Sequence, residues 1–167
     1  FVIFYGGIIG HAQGLEVILK AALIVKDSNI IFVLAGEGPV KEKLIKMKEC
    51  LNLSNVLFIT AFKKQEMPAV INSIDASVIP LKKIDLYLGA IPSKIFESLN
   101  MKKPIILGVD GEARELFINT GKCGLYFEPE NEKDLSEKII LLYNDKQLYS
   151  NLAENAYDYV FKNFNRD

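Results

Sequence analysis

The chain has no tryptophan, one histidine and two cysteines in 167 residues. His11, Cys50 and Cys123 are too few and too scattered for metal-ligand spacing, which argues against a protein-bound zinc site. The two cysteines read instead as reduced thiols of a cytoplasmic protein. No Asp-x-Asp pair is present to hold a divalent ion between phosphates. Neither sign of charge is in excess, with 20 basic against 21 acidic residues. That balance removes the electrostatic case for nucleic acid or an anionic membrane surface. The longest apolar runs, such as Ile30–Ala35, are strand length and far too short to span a bilayer. The chain also lacks the G-x-S-x-G elbow, the Walker phosphate loop and the G-x-G-x-x-G dinucleotide fingerprint.

What is present is a globular composition. Half the residues are apolar and a quarter are charged, enough for one domain with a full core. Short apolar runs alternate with helical patterns. Strands are expected at Phe1–Tyr5, Ile30–Ala35, Val56–Ile59, Ala76–Ile79, Pro104–Leu107 and Leu125–Phe127. Between them, Leu15, Ile18, Leu19, Ala22 and Val25 mark an amphipathic helix over Ala12–Val25. A lysine-rich helix with a solvated face covers about Val40–Leu51, and Pro68 suits the first turn of a helix reaching Ile74. Further helices are expected just after Pro92, over Gly111–Asn119, from Asn131 to about Tyr143 with Asn131 and Asp134 as caps, and over Gln147–Phe161. This β–α alternation predicts an α/β, Rossmann-like, doubly wound parallel sheet of about six strands in the order 3-2-1-4-5-6. A chain that opens inside a strand pattern without an initiator Met is expected to be one domain, residues 1–167, of a longer protein.

In such sheets ligands bind outside the carboxyl ends of the strands. Three glycine-bearing segments fall there. The first, Gly6–Gly14, includes Gly7, Gly10 and His11, and its glycines let backbone approach a ligand closely. The alternative is a turn needed only for tight packing. His11 is either a solvated or capping residue or a contact to a sugar hydroxyl or phosphate. The second, Gly36-Glu37-Gly38-Pro39, is equally a ligand loop or a plain turn. The third runs from Gly89 through Pro92-Ser93-Lys94 to Glu97. A helix start with free N–H groups and a lysine suits a phosphate, and a carboxylate one turn on can accept from both hydroxyls of a ribose. The ordinary alternative is a surface ion pair between Lys94 and Glu97.

These segments come in a recognisable order. Gly10-His-Ala-Gln-Gly-Leu-Glu16, Phe32-Val-Leu-Ala-Gly-Glu-Gly-Pro39, Asn55-Val-Leu-Phe58 with Ala61-Phe62, Pro92-Ser-Lys-Ile-Phe-Glu97 and Gly111-Glu112 with Glu115 follow one another along nearly the whole chain. The series resembles the C-terminal, donor-binding domain of GT-B glycosyltransferases of family 4 (group 1), and within it the P-S-K-x-x-E subgroup of amino-sugar transferases.

The resemblance implies one half of a GT-B fold in a retaining enzyme. Such an enzyme moves a sugar from a nucleotide-sugar, UDP- or GDP-linked, to an acceptor hydroxyl in polysaccharide or glycoconjugate synthesis. The nucleotide-sugar would be substrate, with no further cofactor and no metal. Glu97 would hold the ribose. The glutamate that usually touches the transferred sugar would fall at position 89, which is Gly89. The usual diphosphate-clamping Arg and Lys would fall at Ile8 and Gln13, leaving Lys94 and backbone N–H groups for that role. The expected donor-binding residues are Gly7, Gly10, His11, Gly36, Gly38, Phe62, Gly89, Ser93, Lys94, Glu97 and Glu112. The acceptor site, the catalytic groups and any peripheral membrane contact would belong to an N-terminal domain, so this domain alone is expected to be inactive. Two other readings stay open: a nucleotide-sugar 2-epimerase of GT-B fold, and a non-enzymatic α/β nucleotide-binding or receiver domain. A receiver would want an acidic cluster where Gly6-Gly7 stands.

Overall fold

The apolar runs become a single parallel sheet. In the computed structural model, which describes residues 1–164, the strands are β1 (Val2–Gly6), β2 (Ile31–Ala35), β3 (Val56–Ile59), β4 (Ala76–Pro80), β5 (Ile105–Gly108) and β6 (Gly124–Tyr126). Their order is β3-β2-β1-β4-β5-β6, as the alternation predicts. Every pairing is parallel, with Phe4 opposite Val33, Phe32 opposite Val56, Ile3 opposite Ala76, Ser77 opposite Ile105 and Ile106 opposite Leu125.

Strand periodicity splits the core into two layers. Ile3, Tyr5, Phe32, Leu34 and Ile106 face one side, where they pack with Ile18, Leu19, Leu44 and Ile139. Those four residues come from the helices α1 (Glu16–Ile24), α2 (Lys41–Cys50) and α6 (Glu132–Asn144). Phe4 and Ala35 face the other side with Ile74, near α3 (Met67–Asn72). Ile105 and Leu107 meet Ile95 and Leu99 of α4 (Lys94–Asn100) and Ala156 and Val160 of α7 (Lys146–Phe164). Phe117 anchors α7 through edge contact with Tyr159 at 6.1 Å and stacking on Phe164 at 5.5 Å.

Several boundaries differ from the sequence expectation, each for a local reason. The first helix starts at Glu16, not Ala12, because Gly14 adopts a left-handed φ of 58° and ends a short 3-10 turn at His11–Gln13. The helix expected over Gly111–Asn119 is α5 (Glu112–Arg114), which passes into a π-helical turn at Glu115–Thr120. There the Gly121 N–H reaches back five residues to the Leu116 carbonyl, and Phe117 is buried. Asn131 caps α6 by accepting from the Asp134 N–H. Asp134 does not cap; its carboxylate accepts from the Glu128 N–H and pairs with Lys138. The Leu81–Pro92 loop holds a 3-10 turn at Asp85–Tyr87. Lys41 and Lys43 of α2 are tied to Glu37 and Glu16, so that face is less free than its charge pattern suggests.

Candidate functional site

The site begins where β1 ends. Tyr5 points into the core, and its hydroxyl donates to the Ile8 carbonyl, which folds the following loop back over the strand end. Gly7 has φ 138°, and its N–H donates to the Ala35 carbonyl at 2.9 Å. The loop after β2 is pressed against it. At Gly36, with φ 156°, a Cβ would stand 1.8 Å from the Gly7 carbonyl oxygen, so only glycine fits. At Gly38 a Cβ would come within 2.2 Å of the Ile9 oxygen. Beyond a ligand loop or a plain turn, Gly36-Glu37-Gly38-Pro39 has a packing role. These glycines set how closely two loops approach.

Lys94, in the first turn of α4, lies across this platform. Its Nζ is 5.4 Å from the centroid of the Tyr5 ring, within cation–π range. A Cβ on Gly7 would come within 2.7 Å of that Nζ, so the absent side chain makes room for the ammonium. Among the described residues no ion pair includes Lys94. Burial holds its pKa below the usual lysine range, and the charge of Glu97 offsets this in part. Burial also pushes the Tyr5 hydroxyl far above its ordinary value, so the group beneath the lysine is neutral.

Around Lys94 opens a cleft of about 330 Å³. It brings together five of the residues singled out in the sequence: Gly7, Phe62, Ser93, Lys94 and Glu97. Glu97 is exposed and unpaired with Lys94, so the surface ion-pair alternative does not describe this pair. An apolar groove of about 260 Å³ adjoins the cleft, lined by Lys64, Met67, Pro68, Ile71 and Met101, with Glu97 on the shared wall. Ile8, at the position the family gives to arginine, is 66% exposed and lines the cleft with an apolar side chain.

The other expected residues are not in this cleft. Gly36 and Gly38 lie beneath it as packing. Gly10 is buried against Gln13, whose Oε1 is buried without a partner. His11 sits exposed in the 3-10 turn. Gly89 and Glu112 are exposed beyond β4, where the Glu112 N–H donates to the Leu88 carbonyl at 2.8 Å. Sequence reasoning missed Tyr5, Lys64 and Met67. The signal for Tyr5 is a polar aromatic at the last inward position of a strand, just before two glycines. Lys64 and Met67 gave none, because their place in the cleft depends on how α3 packs beside α4.

The β4–β6 end of the same edge is organised by paired charges. Lys83 bonds Glu128, which also accepts from the Tyr126 hydroxyl at 3.0 Å. Arg114 lies 3.9 Å from the Tyr126 ring centroid and pairs with Asp110. The Gly111 N–H, with Arg114, holds the Asp110 carboxyl below its usual range. Among the described residues no group of three or more His, Cys, Asp or Glu could share a metal ion. Nor is any described helix long and apolar enough to cross a membrane.

A six-stranded parallel sheet in this order, with helices on both sides, defines a Rossmann-like α/β domain. A family model described as "Glycosyl transferases group 1" matches residues 1–159, and the chain belongs to that family. It is 27% identical over 158 residues to the alpha-D-kanosaminyltransferase of Streptomyces kanamyceticus, covering 93% of this chain and 39% of that protein. It is 31% identical over 144 residues to the N,N'-diacetylbacillosaminyl-diphospho-undecaprenol alpha-1,3-N-acetylgalactosaminyltransferase of Campylobacter jejuni, covering 86% of this chain and 36% of that protein. The chain thus spans about two fifths of the length of these relatives. Among solved structures, Anabaena Alr3699/HepE in complex with UDP and glucose superposes with a TM-score of 0.85 at 19% identity, over 99% of this chain and 44% of that one. The fold is that of GT-B glycosyltransferase domains.

Proposed function

We propose that this chain is the donor-nucleotide domain of a retaining glycosyltransferase that takes its sugar from a UDP- or GDP-sugar. The observation that carries this reading is Lys94: a half-buried ammonium with no carboxylate partner, seated on a glycine at the mouth of a cleft. A buried cation without a partner is costly, and an anionic ligand relieves that cost. A diphosphate beside Lys94 would place a ribose one helical turn on at Glu97 and a base toward Phe62 and the apolar groove. When the bond between the sugar and the diphosphate breaks, charge collects on the departing phosphate oxygen. Lys94, already positioned and desolvated, stabilises that charge.

The relatives are more than twice as long as this chain, which supports a second domain carrying the acceptor site. We assign the protein to polysaccharide or glycoconjugate synthesis, in keeping with relatives whose names specify amino-sugar transfer. A cytoplasmic location fits the two free thiols, Cys50 and Cys123. With one wall of the site only, the chain is expected to bind nucleotide with a dissociation constant of roughly micromolar to millimolar and to transfer no sugar.

Melting the chain with UDP, GDP, UDP-N-acetylglucosamine and NAD tests the reading. A rise in Tm with UDP or GDP and their sugars is expected. A rise with NAD alone, or with none of the four, would reject it.

A further inference from the structure

We propose that Glu112 holds the transferred sugar of the donor, an inference that rests on the nucleotide-sugar reading above. Strand order sets the direction of such a ligand. Phe62 follows β3, Gly7 follows β1 and Lys94 follows β4, and the sheet runs β3-β2-β1-β4-β5-β6. A nucleotide with its base near Phe62 and its phosphates near Lys94 lies along the edge from β3 toward β4. The group bonded to the outer phosphate then continues toward β5.

Two loops meet there. The Glu112 N–H donates to the Leu88 carbonyl at 2.8 Å, and a Cβ on Gly111 would stand 2.1 Å from the same oxygen. Glu112 is therefore held beside Gly89. Gly89 itself is exposed, and a Cβ built on it would meet nothing within 4 Å. The place where the sugar would lie is open, and the backbone of Glu112 borders it.

The neighbouring acids are engaged elsewhere. Asp110 accepts from the Gly111 N–H and pairs with Arg114. Glu128 is shared by Lys83 and Tyr126, and Glu130 accepts from the Lys83 N–H. Asp85, in the 3-10 turn, lines a separate cavity of about 160 Å³ with Lys82, Lys83 and Asp110. Glu112 is exposed, and among the described residues its side chain joins no ion pair or hydrogen bond. A free carboxylate is acceptor-only, so it selects a sugar that offers hydroxyl or amide N–H donors on that side.

Calorimetric titrations of UDP, UDP-glucose, UDP-N-acetylglucosamine and UDP-N-acetylgalactosamine into wild type, Glu112→Ala and the double variant Glu112→Ala/Gly89→Glu test this. Glu112→Ala is expected to lower affinity for the best-binding UDP-sugar about tenfold while leaving UDP within about twofold. The open space at Gly89 admits the second substitution, which should recover part of the loss. If affinities for UDP and UDP-sugar fall together, or neither falls, Glu112 is not the sugar contact and the nucleotide reading stands. Where melting favours GDP over UDP, GDP and GDP-mannose replace the uridine ligands; if wild type binds neither series, the nucleotide reading fails and this inference falls with it.

Discussion

At the β4–β6 end of the carboxyl edge Lys83 meets Glu128 and Arg114 meets Asp110, whereas in its middle Lys94 meets no carboxylate. Both regions lie at the carboxyl edge of the parallel sheet, and both carry lysine and acid. The Lys83 pair is exposed, and the Asp110 pair is only partly covered. Such pairs are screened and contribute little beyond fixing loop positions. Lys94 is half-buried, cushioned by the face of Tyr5, and left one charge short of neutrality. Total charge does not separate a site from a scaffold here. What separates them is whether each desolvated charge already has its partner.

Removing the unpaired charge should have the largest effect. Lys94→Met deletes a charge-assisted contact worth about 1.5–3 kcal/mol, so UDP affinity measured by calorimetry should fall about ten- to a hundredfold. The variant's Tm should be unchanged or higher, since an uncompensated buried ammonium has gone. A fall in Tm with no change in affinity would make Lys94 a packing residue. Glu97→Ala should weaken nucleotide binding about ten- to a hundredfold if the carboxylate accepts from both ribose hydroxyls. Folding should be nearly unaffected, because the residue is exposed. Equal affinity for wild type and variant would remove the ribose contact.

A smaller effect separates the two regions by pH. Only protonated Lys94 attracts phosphate, and its pKa in the free protein lies below the ordinary 10.5 because of burial. Affinity should be full below that depressed pKa and decline as pH rises through it, beginning before an ordinary lysine would lose its proton. The groups facing Lys94 do not reverse this, since Tyr5 stays neutral and the opposing charge of Glu97 is outweighed by burial. An affinity flat until pH 10.5 would mean that the ammonium is solvated. The smallest effect belongs to the paired end. Lys83→Ala should leave nucleotide affinity within about twofold, and a larger loss would extend the binding site into that network.

Much of the fold was legible because parallel strands buried on two faces leave continuous apolar runs, as at Phe32–Ala35 and Ile105–Leu107. Gly14 hid the true start of α1, since the apolar spacing continues across it while its left-handed conformation does not. The π-helical turn at Glu115–Thr120 was invisible, because one extra residue per turn leaves the composition unchanged. In the site, Lys94 and Glu97 could be paired by spacing alone, and Gly7 and Ser93 by the edge rule for parallel sheets. Spacing could not tell Gly7, which makes room for an ammonium, from Gly36, which makes room for a carbonyl. That distinction rests on contacts between residues 29 positions apart. Nor could it show that Gly89 and Glu112 are neighbours, which one hydrogen bond between loops decides.

The structure of the chain with UDP or GDP soaked into it tests the central claim most directly. The account predicts a diphosphate oxygen within about 3 Å of Lys94 Nζ and the ribose hydroxyls on the Glu97 carboxylate. A nucleotide seated over the Gly36–Gly38 turn, or in the Lys83–Glu128 region with Lys94 untouched, would contradict it.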